Sequence, residues 1–290
     1  MAGLLVVDLS AVFHRAWHGT AAGERSLLPD GRSFHAVHAS IQIIIQAIRR
    51  NAPVDVLIAA EAPGANAGRR ALSAAYKAHR PPPDLDLVAQ MRDTWSVLAA
   101  AGFAVVGLFR HEADDVAASA AAEYPGPVRI LTGDRDLLAL CTDRVAVDLF
   151  RRGGSATEVC GPAECHKILG VDPAQVCEFK ALAGDASDGI PGVNGIGPKS
   201  AQKILAHYGT VRAAYDDALL IGVPPPARRA FREGREAAQL SYRLARLENS
   251  LPVAGRWHPL AAAFGDDAVD SVSRLGYAET ARLFQRLPRS

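Results

Sequence analysis

The amino-acid sequence predicts an α/β fold with a mostly parallel sheet, followed by a second, helical domain. Five short apolar segments have the character of buried strands, and four segments between them have helical character. Strands that alternate with helices are typical of a three-layer arrangement, in which helices cover both faces of a parallel sheet. The length of 290 residues also favours two domains over one.

Each predicted strand is a run of apolar residues bounded by polar or turn residues. The strands are Leu4–Asp8, Val54–Ala60, Phe103–Leu108, Val128–Thr132 and Val145–Phe150. The predicted helices are Ser33–Arg50, Leu85–Ala101, Ala113–Glu123 and Arg135–Cys141. Residues 62–84, with three consecutive prolines, are expected to leave the sheet as an excursion. No clear strand follows residue 151, and we place a domain boundary near residue 170.

Composition excludes several classes of protein. Hydrophobic residues make up 49% of the chain and charged residues 22%, which is typical of globular proteins and excludes wholesale disorder. The formal net charge of +1 gives no overall sign of a nucleic-acid partner. The four cysteines form no CxxC pair, which indicates free thiols in a reducing compartment. Without a leader-like pattern or a long apolar run, we expect a cytoplasmic protein with no membrane association.

Acidic residues stand at or just after the ends of predicted strands, and they are the strongest chemical signal in the sequence. Seven carboxylates occupy such positions: Asp8, Glu61, Glu112, Asp114, Asp115, Asp134 and Asp136. The carboxyl ends of parallel strands share one edge, where ligands bind. A single acid at a helix start is explained by the helix dipole, but seven together repel one another unless cations neutralise them. Oxygen ligands without Cys or His favour Mg²⁺ or Mn²⁺.

A second acidic pair, Asp185 and Asp188, precedes the glycine-rich segment Gly189–Pro198. Taken alone, this pattern also fits plain turn chemistry. The segment opens a predicted helix, however, and backbone amides at such a helix start bind phosphate groups. Lys199 and Lys203, two of the five lysines in the chain, add positive charge there. We interpret the segment as a phosphate clamp beside an acidic site.

These segments resemble the 5′ nuclease family: flap endonucleases, phage 5′ exonucleases and the N-terminal nuclease domain of bacterial DNA polymerase I. The similar segments are Val6–His18, Ala74–Pro83, His111–Ala121, Val128–Leu140 and Gly184–Leu205. The resemblance covers essentially the whole chain, which looks like a stand-alone nuclease. It implies a PIN-like nuclease domain at 1–170 with a helical arch around 68–95. It also implies a helical domain at 171–290 with a helix–three-turn–helix at about 184–208.

The resemblance implies a structure-specific 5′ nuclease, both flap endonuclease and 5′-3′ exonuclease, with a two-metal mechanism. One ion would be surrounded by Asp8, Glu112 and Asp114, with support from Glu61. The second ion would be held or oriented by Asp115, Asp134, Asp136, Asp185 and Asp188. Lys77 matches a lysine that contacts the scissile phosphate. Arg80 matches a basic residue of the arch, and Arg15 matches an arginine near the first metal ligand.

The resemblance also implies how DNA is held. Tyr76 matches a residue on which a base stacks, and Arg69 follows Gly68 where the family commonly has an aromatic residue. In the helix–three-turn–helix the expected contacts are Gly195, Gly197, Lys199, Ser200 and Lys203. Main-chain carbonyls there usually bind K⁺, and we take Val193 and Ile196 as the donors. The expected partners of the monomer are 5′ flaps, gapped or nicked duplex, 5′ ends and RNA primer–DNA junctions, in primer removal and repair.

Three alternatives stay open at the level of sequence. The family usually has Asp where Glu61 stands, so Glu61 is either a metal ligand or a solvated acid at a strand end. A metal-dependent phosphatase of small substrates would use Asp8 as nucleophile, but Ser10 stands where such enzymes have a second acid. A DNA-junction-binding protein without catalysis would leave the intact acidic motifs unexplained.

The acidic candidates also change the meaning of the net charge. Without the nine predicted metal-site acids, 32 basic residues stand against 22 acidic ones, a net charge of +10. Near-neutrality is therefore an average over an acidic site and a basic remainder, and the remainder fits a polyanionic partner.

Overall fold

The computed structural model contains a seven-stranded sheet in the described part of the chain, residues 3–20, 27–28, 30–151, 156–260, 266–285 and 287. The strands are β1 Leu4–Asp8, β2 Asp55–Ala59, β3 Val105–Val106, β4 Val128–Thr132, β5 Val145–Phe150, β6 Thr157–Cys160 and β7 His258–Pro259. Six follow the order β3-β2-β1-β4-β5-β6, and β7 pairs with β2. Strands β1 to β5 run parallel, whereas β6 and β7 are antiparallel to their partners.

Helices surround the sheet and build the second domain. Those before the predicted boundary are α1 Leu9–Thr20, α2 His35–Asn51, α3 Ala67–Leu72, α4 Leu85–Ala100, α5 Ala113–Glu123 and α6 Pro162–Leu169. Those after it are α7 Val176–Ala183, α8 Pro198–Tyr208, α9 Val211–Asp216, α10 Arg228–Glu233, α11 Arg235–Ala245, α12 Asp266–Arg274 and α13 Ala278–Phe284. Short 3₁₀ helices lie at Arg135–Leu140, Pro173–Gln175 and Pro225–Ala227. In the described ranges, no helix is both long and apolar enough to cross a bilayer.

The side chains of β1 explain how the sheet is covered on both faces. Leu4 and Val6 lie in one core cluster with residues of α5 and of the helical domain. Leu5 and Val7 lie in the other cluster, with residues of α1, α2 and α4. Because side chains alternate between faces, a fully apolar strand is buried from both sides. The predicted three-layer sheet with a helical C-terminal domain is confirmed.

The parallel register brings the functional ends of the strands together. Asp8 at the end of β1 pairs with Ala59 at the end of β2, and Val7 pairs with Leu131 of β4. These three strands therefore end at one edge, and the segments that follow them leave the sheet side by side.

The structure differs from the sequence prediction at the weaker elements. The expected strand Phe103–Leu108 is reduced to Val105–Val106, and Arg135–Cys141 forms a 3₁₀ helix rather than an α-helix. Strand β6 was not predicted, because an edge strand of half-exposed residues lacks the continuous apolar run of a buried strand.

The end of the chain returns to the first domain. Strand β7 pairs with β2, and Val272 and Phe284 lie in the same core cluster as α2 and α4. The hydroxyl of Tyr277 donates a hydrogen bond to Oδ2 of Asp93 in α4 at 2.6 Å. The described residues after 257 therefore pack against the first sheet, although they follow the predicted boundary in the sequence.

The segment expected to form an arch around 68–95 consists of part of α3, an irregular stretch with turns, and the first part of α4. Helix α3 comes first, followed by turns at residues 74–79 and a chain without regular structure at 81–84. Helix α4 then packs into the core through Val97 and Leu98. The turns lie against the helical domain, where the Lys77 amide donates to the Asp188 carbonyl at 2.9 Å.

Candidate active site

Seven of the nine predicted metal-site acids line one cavity of about 1920 Å³ at the carboxyl edge of the sheet. They are Asp8, Glu61, Glu112, Asp114, Asp134, Asp136 and Asp185. The cavity is also lined by the basic residues Arg15, Lys77, Arg80 and Lys180. The strand ends thus bring carboxylates from distant parts of the sequence into one concave site.

Asp8 is held at the base of the cavity by backbone and side-chain donors. It is 4% exposed, and its Oδ1 accepts a hydrogen bond from the Ala11 amide at 3.0 Å. Its Oδ2 accepts a 2.7 Å hydrogen bond from the hydroxyl of Thr132 at the end of β4. The Asp134 amide donates in turn to the Thr132 oxygen at 2.9 Å. Thr132 therefore connects the ends of β1 and β4 and fixes the separation of their acids.

Glu112 has several cationic and hydroxyl partners. Nζ of Lys77 lies 2.7 Å from Oε1, and the hydroxyl of Tyr76 donates to Oε2 at 2.7 Å. Nη1 of Arg69 lies 3.1 Å from Oε2. Because Glu112 is 4% exposed, its charge is balanced by these groups rather than by water.

Asp115 faces Arg69 and does not line the cavity. Its two oxygens accept hydrogen bonds from Nη1 and Nη2 of Arg69 at 2.7 and 2.8 Å. They also accept hydrogen bonds from the backbone amides of Glu112 and Glu248 at 3.0 and 2.9 Å. Four donors occupy this buried carboxylate, and its expected part in holding or orienting the second ion stays a prediction. Arg69 is likewise buried and pairs with Asp115 and Glu112, and its expected DNA contact stays a prediction.

Tyr76 is buried in the core rather than exposed in the cavity. The residue is 2% exposed and packs with Ile190 and Leu244 in a small core cluster of its own. The ring is enclosed by protein in this structure, and its expected stacking on a base stays a prediction. Tyr76 instead connects the segment after α3 to the helical domain and supports Glu112 through its hydroxyl.

Lys77 adopts a left-handed backbone conformation, with φ of 51°. This geometry costs free energy for a residue with a side chain and occurs where surrounding contacts impose it. Here the contact is with the loop at Gly189, where a Cβ would lie 2.6 Å from the carbonyl oxygen of Ala75. The close approach of the two segments therefore requires glycine at 189 and fixes Lys77 in the cavity.

A second carboxylate group joins the two domains. Carboxylate oxygens of Asp136, Asp185 and Asp188 all lie within 4.8 Å of one another. Lys180 of α7 contacts Asp136 and lies 2.7 Å from Oδ2 of Asp185. Nη2 of Arg80 lies 2.7 Å from Oδ1 of Asp188. These three oxygens are close enough together to serve as ligands of one divalent cation.

Sequence reasoning missed Lys180. The signal was present, because this is one of only five lysines and lies five residues before Asp185. Arg15 was expected near the first ligand, and its guanidinium carbon lies 5.1 Å from the centre of the Phe150 ring at the cavity wall.

Crowded carboxylates shift the acid–base properties of the cavity. Burial raises the pKa of Asp8, and burial with the charges of Asp8 and Asp134 raises the pKa of Asp114 well above its ordinary value. Burial and Asp134 raise the pKa of Asp136 to about 6, although Lys180 opposes them. Glu61 faces the open cavity, yet partial loss of solvation and the nearby Glu112 raise its pKa to about 7.

Asp185 has the opposite shift. Burial alone would raise its pKa, but hydrogen bonds from Lys180 and from Ser187 outweigh that effect and hold the pKa at about 2. The cavity therefore combines acids whose pKa values are raised with one whose pKa is lowered. Such a set is stabilised by added positive charge.

The glycine-rich segment connects α7 to α8 and forms the predicted helix–turns–helix. Gly184 and Gly192 pack against each other so closely that a Cβ on Gly192 would lie 2.3 Å from the Gly184 nitrogen. Four of the expected DNA contacts, Gly195, Gly197, Lys199 and Lys203, are exposed, and Ser200 is half-buried. The side chains of Val193 and Ile196 are buried, and the Val193 carbonyl accepts the Ile196 amide at 2.9 Å.

Two family models together match most of the chain. The 5′-3′ exonuclease N-terminal resolvase-like domain matches residues 3–170, and the 5′-3′ exonuclease C-terminal SAM fold matches residues 171–268. The chain belongs to the 5′-3′ exonuclease family. This membership agrees with the resemblance carried by its acidic and glycine-rich motifs.

Individual relatives agree with the family models. A 5′-3′ exonuclease of Bacillus subtilis is 31% identical over 254 residues, which cover 87% of this chain and 85% of the relative. A 5′-3′ exonuclease of Streptomyces coelicolor is 34% identical over 229 residues, covering 73% and 75%. The thermostable DNA polymerase I of Thermus thermophilus is 35% identical over 227 residues, which cover 77% of this chain but 26% of that protein.

Solved structures share the fold at lower identity. T5 5′-exonuclease with bound zinc has a TM-score of 0.69 at 20% identity, covering 97% of both chains. Flap endonuclease-1 from Methanococcus jannaschii has a TM-score of 0.61 at 14% identity, covering 98% of this chain and 91% of that one. The arrangement of sheet and helical domain is therefore common to all three.

Proposed function

We propose that this chain is a structure-specific 5′ nuclease, a flap endonuclease and 5′-3′ exonuclease that hydrolyses DNA phosphodiesters with divalent metal ions. The observation that carries the proposal is the cavity in which seven carboxylates converge beside Lys77, Arg80 and Lys180. Acids supply oxygen ligands for Mg²⁺ or Mn²⁺, and the basic side chains supply contacts for phosphate. Family membership supports the same function.

The acids divide into two candidate ligand groups. Asp8, Glu112 and Asp114 would hold one ion, with Glu61 beside them. Asp134, Asp136, Asp185 and Asp188 would hold or orient the other. When bound, two such ions activate a water nucleophile and stabilise the leaving oxygen of an in-line displacement. The raised pKa values of Asp114 and Asp136 support binding of cations in the cavity, because added positive charge relieves the repulsion that helps to raise them.

Protein side chains would orient the substrate in this cavity. Lys77 is held by its strained backbone with Nζ on Glu112, at a point that faces the cavity. We expect its ammonium to bind the scissile phosphate once other cations neutralise Glu112. Arg80 is paired with Asp188 and half-exposed, so it is available to a second phosphate oxygen.

The helical domain would hold the duplex. Lys199 and Lys203 are exposed on α8, next to the glycine-rich turns, where backbone amides approach a phosphate closely. Potassium bound by the carbonyls of Val193 and Ile196 would strengthen this clamp. Since such contacts reach the sugar–phosphate backbone only, we expect substrate choice by DNA shape, as at 5′ flaps, nicks, gaps, 5′ ends and RNA primer–DNA junctions. Removal of primers and DNA repair would be the cellular roles of the monomer.

A cleavage assay tests the proposal directly. Purified protein with Mg²⁺ or Mn²⁺ should cut a labelled 5′-flap duplex near the branch, and EDTA should stop cleavage. Asp134→Ala should abolish cleavage while DNA binding persists, and Asp143→Ala, an exposed acid outside the cavity, should cut normally. An intact flap under conditions where a control nuclease cuts would overturn the proposal.

The same preparation distinguishes the alternatives. A DNA-binding protein without catalysis would bind the flap and cut nothing at any metal concentration. A phosphatase of small substrates would hydrolyse p-nitrophenyl phosphate and leave the flap intact. Retained cleavage in Asp134→Ala would remove that carboxylate from the mechanism.

A further inference from the structure

A tight turn at Leu108–His111 directly precedes Glu112 of the cavity and has an unusual pair of residues at its tip. Leu108 and His111 form an isolated antiparallel bridge, and the His111 amide donates to the Leu108 carbonyl at 3.3 Å. Phe109 and Arg110 are the two central residues. Arg110 has φ of 70°, the left-handed conformation that favours glycine at this position of a turn.

Phe109 is 65% exposed, although it belongs to the residue types that are most often buried. One edge of its ring packs on Gly64, where a Cβ would lie 2.6 Å from Cε2 of the ring. The Arg110 amide donates to the Gly64 carbonyl at 3.1 Å. The turn is therefore fixed in position, and its aromatic ring faces solvent from a rigid support.

The position of the turn connects it to the proposed nuclease site. Gly64 lines the cavity and lies three residues after Glu61, and Glu112 directly follows the turn. The Arg110 side chain is exposed and forms no ion pair with any residue that the structure describes. An exposed aromatic ring and an unpaired guanidinium thus stand together beside two candidate metal ligands.

We propose that Phe109 and Arg110 bind an unpaired nucleotide of the strand that is cut, an inference that rests on the proposed nuclease function. The ring of Phe109 stacks on the base, and Arg110 pairs with the adjacent phosphate. A base inside a duplex already has both faces stacked, so an isolated ring can stack only where pairing has ended. Stacking accepts any base, in agreement with substrate choice by shape. Strain held at Arg110 fits a residue retained for binding rather than for stability.

Fluorescence of 2-aminopurine tests this contact, because stacking on an aromatic ring quenches it. The probe is placed at the first unpaired position of a 5′ flap, and binding is measured with Mg²⁺ in an Asp134→Ala background that prevents cleavage. The parent and Phe109→Trp should quench the probe, whereas Phe109→Ala should not. Phe109→Ala should also weaken flap binding by about tenfold. Binding to a blunt duplex without unpaired nucleotides should stay unchanged.

Leu219→Ala provides the matched control, because Leu219 is equally exposed, at 69%, but lies in the helical domain. Thermal unfolding of each variant separates a binding defect from a folding defect. If Phe109→Ala and its parent have equal flap affinity and equal quenching, and the wild-type chain still cleaves the flap, the inference is overturned but the nuclease proposal is not. Absence of both flap binding and cleavage in the wild-type chain would overturn the nuclease proposal as well.

Discussion

Nζ of Lys180 lies 2.7 Å from Oδ2 of Asp185 and also contacts Asp136, so an ammonium group joins two carboxylates from different domains. The lysine stabilises the acids electrostatically in the absence of other cations. It also repels any divalent ion that approaches the same oxygens.

Lys180→Met should therefore bind Mn²⁺ more tightly than the wild-type chain. Removing one positive charge close to the ligands changes the affinity by about tenfold. The metal-free variant should unfold at lower temperature, because Asp136 and Asp185 lose their shared partner. Calorimetric titration with Mn²⁺ measures the affinity, and Lys167→Met, an exposed lysine on α6, is the control. Weaker Mn²⁺ binding by Lys180→Met would contradict the idea that Lys180 competes with the metal ion for these carboxylates.

Arg69→Met should destabilise the fold by about 3–5 kcal/mol, because it leaves the buried Asp115 carboxylate without its charge partner. The loss should appear as a lower midpoint in urea unfolding. Arg70→Met, one residue further along α3 and exposed, should unfold like the wild-type chain. Equal stability of the two variants would mean that Asp115 is not held by Arg69.

The metal-free protein should lose stability as the pH rises from about 4 to about 7. Asp136 and Glu61 have pKa values of about 6 and 7 in the folded protein, against ordinary values of 3.8 and 4.5. A raised folded pKa favours folding while the group is protonated, and that contribution is lost as the pH passes through the folded pKa. Thermal unfolding in EDTA should reveal the slope, and Mg²⁺ or Asp136→Asn should reduce it. If the stability instead rises between about pH 4 and pH 7, Asp136 and Glu61 do not determine its pH dependence.

Arg110→Gly should stabilise the fold by about 1 kcal/mol, because glycine adopts the left-handed conformation without steric cost. The same variant should bind DNA flaps more weakly, with a smaller dependence on salt, since one phosphate contact is lost. Urea unfolding and flap titration at several salt concentrations measure the two effects. If the variant is more stable but binds the flap with unchanged affinity, Arg110 has no role in DNA binding.

Much of the sheet could be predicted because its strands are buried on both faces. Leu4–Asp8, Val128–Thr132 and Val145–Phe150 have the predicted bounds, since continuous apolar runs leave no other favourable environment. Strands β6 and β7 could not be predicted, because they form only by pairing with other strands of the folded sheet. Apart from the buried Cys160, their residues are polar or exposed, and pairing with β5 and β2 determines their conformation.

The acids of the site could be predicted as a group, but their separate surroundings could not. Asp114 and Asp115 are adjacent at the start of α5, yet helical geometry turns one toward the cavity and the other toward Arg69. Tyr76 looks like an exposed aromatic residue in its sequence context, and contacts with Ile190 and Leu244 bury it. Such outcomes depend on the packing of α3 and of the 74–79 turns against the helical domain.

The sequence by itself determined the layered fold, the edge at which the acids meet and the glycine-rich turns of the second domain. These follow from local periodicity, from the rule that parallel strands end together, and from backbone conformations that only glycine tolerates. Tertiary structure decided which acids face the cavity and which cations neutralise them, including Lys180 and Arg69. The reason is physical: electrostatic pairing depends on distances of a few ångströms between segments far apart in the chain, and only the folded packing fixes those distances.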